Sequence, residues 1–230
     1  MIDFDFIIIS NALTEEHKMF TENCIQSILD TADIYTPHII VVEQYDKVEY
    51  ENALTLHYNF EFNYNHCLNY GLKHSISPYK ALCNNDLIFH TEWCEDVLKG
   101  FKLGYGSLSP YCLNSHSDKF ETGRKIITGS KVGYELAGWC IFLTDMTLNK
   151  IGHINDKVKF WYSDNIYAEQ LSSNEIKHGL VCSSFVTHLG SKTLNMLRPK
   201  RRVAMTKGQK KTFEYERDMI RRNKRNEKII

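Results

Sequence analysis

Tyr79-Lys-Ala-Leu-Cys-Asn-Asn-Asp-Leu-Ile-Phe-His90 is the stretch on which the reading of the whole chain turns. A short apolar run, Ala81-Leu82-Cys83, breaks into three turn-forming polar residues, Asn84-Asn85-Asp86. A second apolar run, Leu87-Ile88-Phe89, follows at once. The pattern predicts a buried strand whose end delivers polar side chains into a cleft. Asp86 then stands at the carboxyl end of a central strand, where open α/β sheets bind ligands. The competing reading is a hairpin, because Asn-Asn-Asp is good turn chemistry.

Toward the N-terminus, Phe4-Asp-Phe-Ile-Ile-Ile9 predicts a first, central strand that ends at the polar turn Ser10-Asn11. Cys24, Ile25, Ile28 and Leu29 fall at helical spacing within residues 21–30, so a helix with one apolar stripe follows. Pro37 is expected to break that helix off. His38-Ile-Ile-Val-Val42 then predicts a second buried strand, ending in Glu43. Strand, helix and strand in this order make a βαβ unit and imply a parallel sheet. Leu54–Tyr58 alternates weakly, as a short strand would. Residues 63–71 predict a helix whose Asn63, Asn65 and Asn69 are more polar than a core helix requires.

Toward the C-terminus, Thr91 is a candidate N-cap for a helix over residues 92–98. Residues 104–135 read as loops with short strands such as Lys125–Thr128. Gly104-Tyr-Gly106 lacks the third glycine of a dinucleotide fingerprint, and no Gly-Lys-Ser/Thr phosphate loop occurs, so both are excluded. Gly138-Trp-Cys-Ile-Phe-Leu143 predicts another buried strand, followed by a short helix over 145–151 capped by Thr144 and ended by Gly152. Trp161-Tyr-Ser-Asp-Asn165 opens a further helix that runs to Leu171. Leu180–Val186 is a last strand, running into Thr187-His188.

A chain of 230 residues with 13 Tyr, 12 Phe and 3 Trp can bury a sizeable core in one large domain or a domain with an appendage. No apolar run approaches the ~20 residues that span a bilayer, and the acidic start Met1-Ile-Asp-Phe-Asp is unlike a secretory signal. The seven cysteines are scattered without a Cys-x-x-Cys pair, which points to reduced thiols and a cytoplasmic location rather than a zinc site of the usual spacing. Net charge is zero, but residues 198–230 hold 13 of the 28 Lys+Arg and only 4 of the 28 Asp+Glu. A body over 1–197 at −9 therefore carries a basic tail over 198–230 at +9. Such a tail, helical on a partner or disordered, suits nucleic acid or an anionic membrane surface.

Asp86, Asp164 and His188 fall at predicted strand ends or helix starts, with Glu43 beside them. Asp86 and His188 together suit Mg²⁺ or Mn²⁺, completed by phosphate oxygens and water. Asp164 suits a general base. Each has a plainer reading: Asp164 as an acidic residue favoured by a helix dipole, His188 as a structural histidine, Glu43 as a strand-end turn residue.

The order of these features resembles a family 2-type glycosyltransferase with the GT-A fold, over about residues 4–195. The first strand with Ser10, the helix with Cys24-Ile-Gln-Ser-Ile28, and Ile39-Ile-Val-Val-Glu43 are similar to that family's opening unit, with Glu43 where an aspartate is usual. Residues 63–72 are similar to its Asn-rich helix. Asn84-Asn85-Asp86 stands where it has Asp-x-Asp. Gly138–Leu143, Ile151-Gly-His-Ile-Asn-Asp156 and Trp161–Asn165 match its later block, with Ser163-Asp164 in place of an acidic pair.

The resemblance implies an α/β fold, a single mixed sheet flanked by helices with the basic C-terminal tail appended. It implies a nucleotide-sugar-dependent, metal-dependent and inverting transferase. Asp86 and His188 would be metal ligands for Mn²⁺ or Mg²⁺, and Asp164 the catalytic base. Ser10, Glu43, Asn65, Asn85, Gly138 and Trp139 would be contacts to the nucleotide-diphosphate sugar. The family leaves the acceptor open. The tail favours an anionic one: a hydroxylated base in DNA, as for small phage-type transferases, or a cell-surface polysaccharide or lipid-linked acceptor at a membrane surface. The alternative class is a non-catalytic nucleic-acid-binding protein on a degenerate transferase fold, which the Asn84 and Ser163 replacements would suit.

Overall fold

The computed structural model describes residues 1–190 and 207–227. Among these, nine strands form one mixed sheet: β1 (Ile2–Ser10), β2 (Tyr35–Glu43), β3 (Leu54–His57), β4 (Tyr79–Asn84), β5 (Leu87–Phe89), β6 (Ser107–Tyr111), β7 (Ile126–Thr128), β8 (Cys140–Thr144) and β9 (His178–His188). Their order is β3-β2-β1-β4-β8-β6-β9-β5, with β7 paired along β9. β1 runs parallel to β2 and β4, and β8 enters antiparallel between β4 and β6. β4 and β5 do not pair with each other: β5 crosses to the end of β9. Asn84-Asn85-Asp86 is therefore a strand end that leaves the sheet, and the hairpin reading is excluded.

Alternation along the strands sends side chains to two cores, as a sheet covered on both faces requires. Phe4, Phe6 and Ile8 face α1 (Glu15–Asp30) and α3 (Trp93–Lys102), with Ala81, Cys83, Cys140 and Phe142 beside them. Trp93 anchors this side, stacked 5.0 Å from Phe142 and meeting Phe4, Phe6, Tyr35 and Phe89 edge-on. Ile7, Ile9, Val42, Leu82, Ile141 and Leu143 face the opposite way, onto α2 (Tyr64–Leu72) and α6 (Ser163–Ser173). The remaining helices are α4 (Leu113–His116), α5 (Asp145–Ile151) and α7 (Gln209–Glu227). None of the helices among the described residues is long and apolar enough to cross a membrane.

Three local expectations need correction. Pro37 does not end α1. It lies within β2 opposite Phe4, where β2 has no second neighbour because β3 joins only from Ile40, so its missing N–H costs no ladder bond. α1 instead starts earlier, at a Thr14 cap whose side chain accepts from His17 N, and ends at Thr31. Thr91 does not cap α3; Glu92, at φ +66°, holds that position without a side-chain cap. β6 was hidden in a Ser- and Pro-containing stretch. Its Ser107 and Ser109 are fully buried, and pair with His178, Tyr167 and the Ala137 N–H.

The parallel strands bring their carboxyl ends into line. Ser10 of β1 pairs with Glu43 of β2, and Ile9 pairs with Asn84 of β4. β8 runs the other way, so its entry, Gly138-Trp139, meets the same edge: Asn84 N donates to Trp139 O at 2.9 Å. His188 arrives from the far side, paired with Leu87. Among the described residues of the tail, α7 is a helix lying against α6. The Lys200-Arg-Arg202 cluster and the linker-like break at Pro199 lie outside the described residues.

Candidate functional site

Asp86 sits just beyond the end of β4, with its side chain almost wholly enclosed. The backbone holds it there, since Leu189 N donates to Asp86 O at 3.0 Å across the β5–β9 pair. His188 brings its Nε2 to 3.3 Å from Asp86 Oδ1. Trp139 stacks face to face on the imidazole, 5.1 Å between ring centres and 15° between planes, which fixes the ring. His188 Nε2 is sealed from solvent and makes no hydrogen bond of sound geometry.

A carboxylate oxygen and a solvent-sealed imidazole nitrogen this close together fit a Mn²⁺ or Mg²⁺ site. Two ligand atoms each about 2.1 Å from one cation and at right angles lie about 3 Å apart, close to the spacing seen. Among the described residues no third His, Cys, Asp or Glu joins them, so the remaining ligands would be phosphate oxygens and water.

Two residues separate this pair from Asp164. Trp139 covers His188, and its neighbour Gly138 abuts Asp164. A Cβ at Gly138 would lie 2.7 Å from the Asp164 Cβ and 2.8 Å from its Oδ2. Asp164 is in the first turn of α6, where Asn165 N donates to its Oδ1 at 2.9 Å. Burial raises its carboxyl above the ordinary range and outweighs the backbone bonds that lower it. Such a group holds a proton more readily near neutral pH than a surface aspartate does. Gly138→Ala is expected to push the Asp164 side chain aside, because the added Cβ would come within 3 Å of it; a structure of the variant checks the shift.

Tyr64 ties the two halves together. Its hydroxyl donates to Asn84 Oδ1 at 2.8 Å and reaches Gly138 O at 3.4 Å. Burial raises its phenol first, with Cys83 and Asp164 adding to the shift and Cys140 and Asp86 behind them. The same hydroxyl thus senses both carboxylates.

The polarity of α2 has a structural explanation. Asn63 Nδ2 donates to Asp156 O at 2.6 Å, Asn65 Nδ2 to Asn155 O at 2.8 Å, and Asn69 Nδ2 to Ile154 O at 2.7 Å. The three amides stitch down the loop that leads into α6. Asn65, expected to contact the donor, instead binds this chain's own backbone and is almost fully buried. The other side of the loop is held by α7. Asn155 Nδ2 donates to Glu216, Lys159 N to Gln209 Oε1, and Arg221 grips Glu169 with two bonds of 2.7 and 2.8 Å. Phe213 stacks on Tyr162, 5.2 Å between ring centres. Tyr162 is at φ +70°, a left-handed backbone that costs about 1–3 kcal/mol in a non-glycine residue and persists only where its surroundings fix it.

Ser10, Glu43 and Asn85 come together in one enclosed network. Ser10 Oγ lies 2.8 Å from Thr21 Oγ1 and 3.0 Å from the Tyr50 hydroxyl, which donates to Glu43 Oε2 at 2.7 Å. Asn85 Nδ2 donates to Thr21 Oγ1 at 3.1 Å. Glu43 has no accessible surface. Its Oε1 accepts from Ala12 N at 3.0 Å and Tyr45 N at 2.8 Å, which fixes the two loops beyond β1 and β2. Glu43, expected to contact the donor, is thus committed to this chain's own loops and has no face open to a ligand.

Sequence reasoning missed Tyr64, Tyr50 and Trp161. Tyr64 directly follows the asparagine that caps α2, and an aromatic hydroxyl at the start of a helix already singled out as too polar was the available signal. Trp161 is 45% exposed on a cleft of about 560 Å³ that Asp164 also lines.

No family model matches the chain, and no curated protein matches it. Solved structures do. The crystal structure of S. aureus TarS 1-349 is similar with a TM-score of 0.57 at 10% identity, over 81% of this chain. The match covers 60% of that 1-349 chain. The crystal structure of a mutant Drosophila β1,4-galactosyltransferase 7, in complex with manganese, UDP-Gal and xylobiose, is similar with a TM-score of 0.56 at 11% identity, over 90% of this chain and 80% of that one. The mixed sheet with helices on both faces, and strand ends gathered at one edge, is the GT-A glycosyltransferase fold.

Proposed function

We propose that the protein transfers a sugar from a nucleotide-diphosphate donor to an acceptor hydroxyl. One observation carries the reading: at the strand ends of a GT-A sheet, Gly138-Trp139 joins an Asp86–His188 pair with an unbonded, buried imidazole nitrogen to the half-buried carboxylate of Asp164. The manganese and UDP-Gal in the galactosyltransferase complex support the same class of donor and metal.

Asp86 and His188 would hold Mn²⁺ or Mg²⁺. When bound, such an ion neutralises negative charge on a leaving diphosphate. Trp139 keeps the His188 ring in place and closes the site on one side, while Gly138, lacking a side chain, lets Asp164 pack against the strand entry. Asp164 takes the proton from the acceptor hydroxyl as its oxygen attacks the anomeric carbon and the bond to the diphosphate breaks. A single displacement with one base gives inversion. Tyr64 holds Asn84 and the Gly138 backbone together, so the two carboxylates keep their separation. Seven unpaired, buried cysteines suit the reducing cytoplasm. The basic tail supports an anionic acceptor, with a hydroxylated base in DNA as the first candidate.

A panel of nucleotide sugars incubated with Mn²⁺ tests this reading. Release of nucleoside diphosphate from one donor, lost on chelation, is the expected result. No release and no nucleotide binding with any donor would overturn it.

A further inference from the structure

The cleft beside Asp164 is built mainly by two segments far apart in the chain, with Val132 completing its wall. Trp161, Tyr162, Asp164 and Asn165 come from the start of α6, and Gly208 and Lys210 from the start of α7. Its volume, about 560 Å³, suits one sugar or one nucleotide. Trp161 is 45% exposed there, which is unusual for the largest aromatic side chain and offers a ring face for stacking. Lys210 is 73% exposed, and its nearest acidic partner, Glu214, is 4.0 Å away, so its charge is largely free for a ligand. Gly208 gives its carbonyl to Thr212 N and has no side chain to cap the helix, so the first amides of α7 and the positive end of its dipole lie beside Lys210.

The outer face of α7 continues the pattern. Lys211, Arg222 and Arg225 are exposed there, with Tyr215 64% exposed among them and Asp218, paired with Arg217, as the one exposed acid among the described residues of that face. Cations interleaved with an aromatic ring follow a phosphate backbone and stack bases, whereas a membrane-surface helix would show an apolar face.

We propose that α6 and α7 together form the acceptor subsite, and that it takes one nucleotide of a nucleic-acid strand, its ring stacked on Trp161 and its phosphate held by Lys210 and the first turn of α7. This rests on the transferase reading above and names the acceptor of the same site. The nucleotide's hydroxyl then faces Asp164.

The probe is a fluorescently labelled single-stranded 8-mer carrying 5-hydroxymethylcytosine, titrated by anisotropy against the full chain at several salt concentrations. Trp161→Ala is expected to weaken binding by about 5- to 150-fold, the range for one base–aromatic stack. Lys210→Ala is expected to weaken it more evenly across sequences and to reduce the salt slope by about 0.7. Thermal unfolding of both variants confirms that they remain folded. Calorimetry of UDP, GDP, CDP, ADP and dTDP on the wild type runs alongside. Nucleotide binding with oligomer binding unaffected by either variant sinks the subsite and leaves the transferase reading standing. Oligomer binding lost in both variants with no nucleotide binding sinks the transferase reading, and with it the role of acceptor subsite, and leaves a nucleic-acid-binding site. Binding to phosphatidylglycerol vesicles in place of the oligomer also overturns the proposal.

Discussion

Asp164→Asn is expected to lower sugar transfer by about 10²–10⁴-fold, the usual worth of a positioned general base, while nucleotide binding persists. The amide keeps the size of the side chain and its place against Gly138, but cannot take a proton. The same change should make the protein more stable at neutral pH. Burial raises the Asp164 carboxyl in the folded chain, so the native state binds more protons than the unfolded one between the ordinary and the raised value. Stability then falls as pH rises through that window and stays lower above it, because the ionised group is held away from water. Asparagine removes that cost. Activity runs the opposite way, appearing only as pH rises through the raised value. A variant with a higher Tm and lost turnover separates a catalytic carboxylate from one that merely supports α6; loss of both would assign it a structural role.

Asp86→Ala is the second large effect. The carboxylate is one of only two candidate ligands among the described residues, and without it His188 remains alone under Trp139. Metal-dependent turnover should fall at least about 100-fold, since even the outer partners of metal ligands are worth 10–100-fold in affinity or activity. Partial recovery at high Mn²⁺ would show that the loss is in metal affinity. Unchanged metal dependence in this variant would place the ion elsewhere.

The sheet could be read from the chain because buried parallel strands are written as continuous apolar runs. Phe4–Ile9, His38–Val42 and Ala81–Cys83 each lie within a strand where expected. Asp86 and His188 were legible as strand-end residues for the same reason, and the sheet brings them together although 102 positions separate them. β6 was not legible, because its buried serines are satisfied by His178 and Tyr167, which arrive from elsewhere in the chain. Asn65 shows the same limit from the other side. Its polarity was correctly noticed, but the carbonyls it serves lie about 90 residues away, in the loop before α6. The docking of α7 was hidden too. A highly charged segment reads as a solvated tail until Glu169 appears opposite Arg221 and Tyr162 opposite Phe213.

Calorimetric titration of nucleoside diphosphates into the wild type and Asp86→Ala, with Mn²⁺ and then with chelator, tests the central claim most directly. Binding of one nucleotide that needs Mn²⁺ in the wild type and is lost in the variant is the result the site requires. Binding that is equally tight without metal, or in Asp86→Ala, would contradict the assignment of Asp86 and His188 as the ligands that hold a cation on a donor diphosphate.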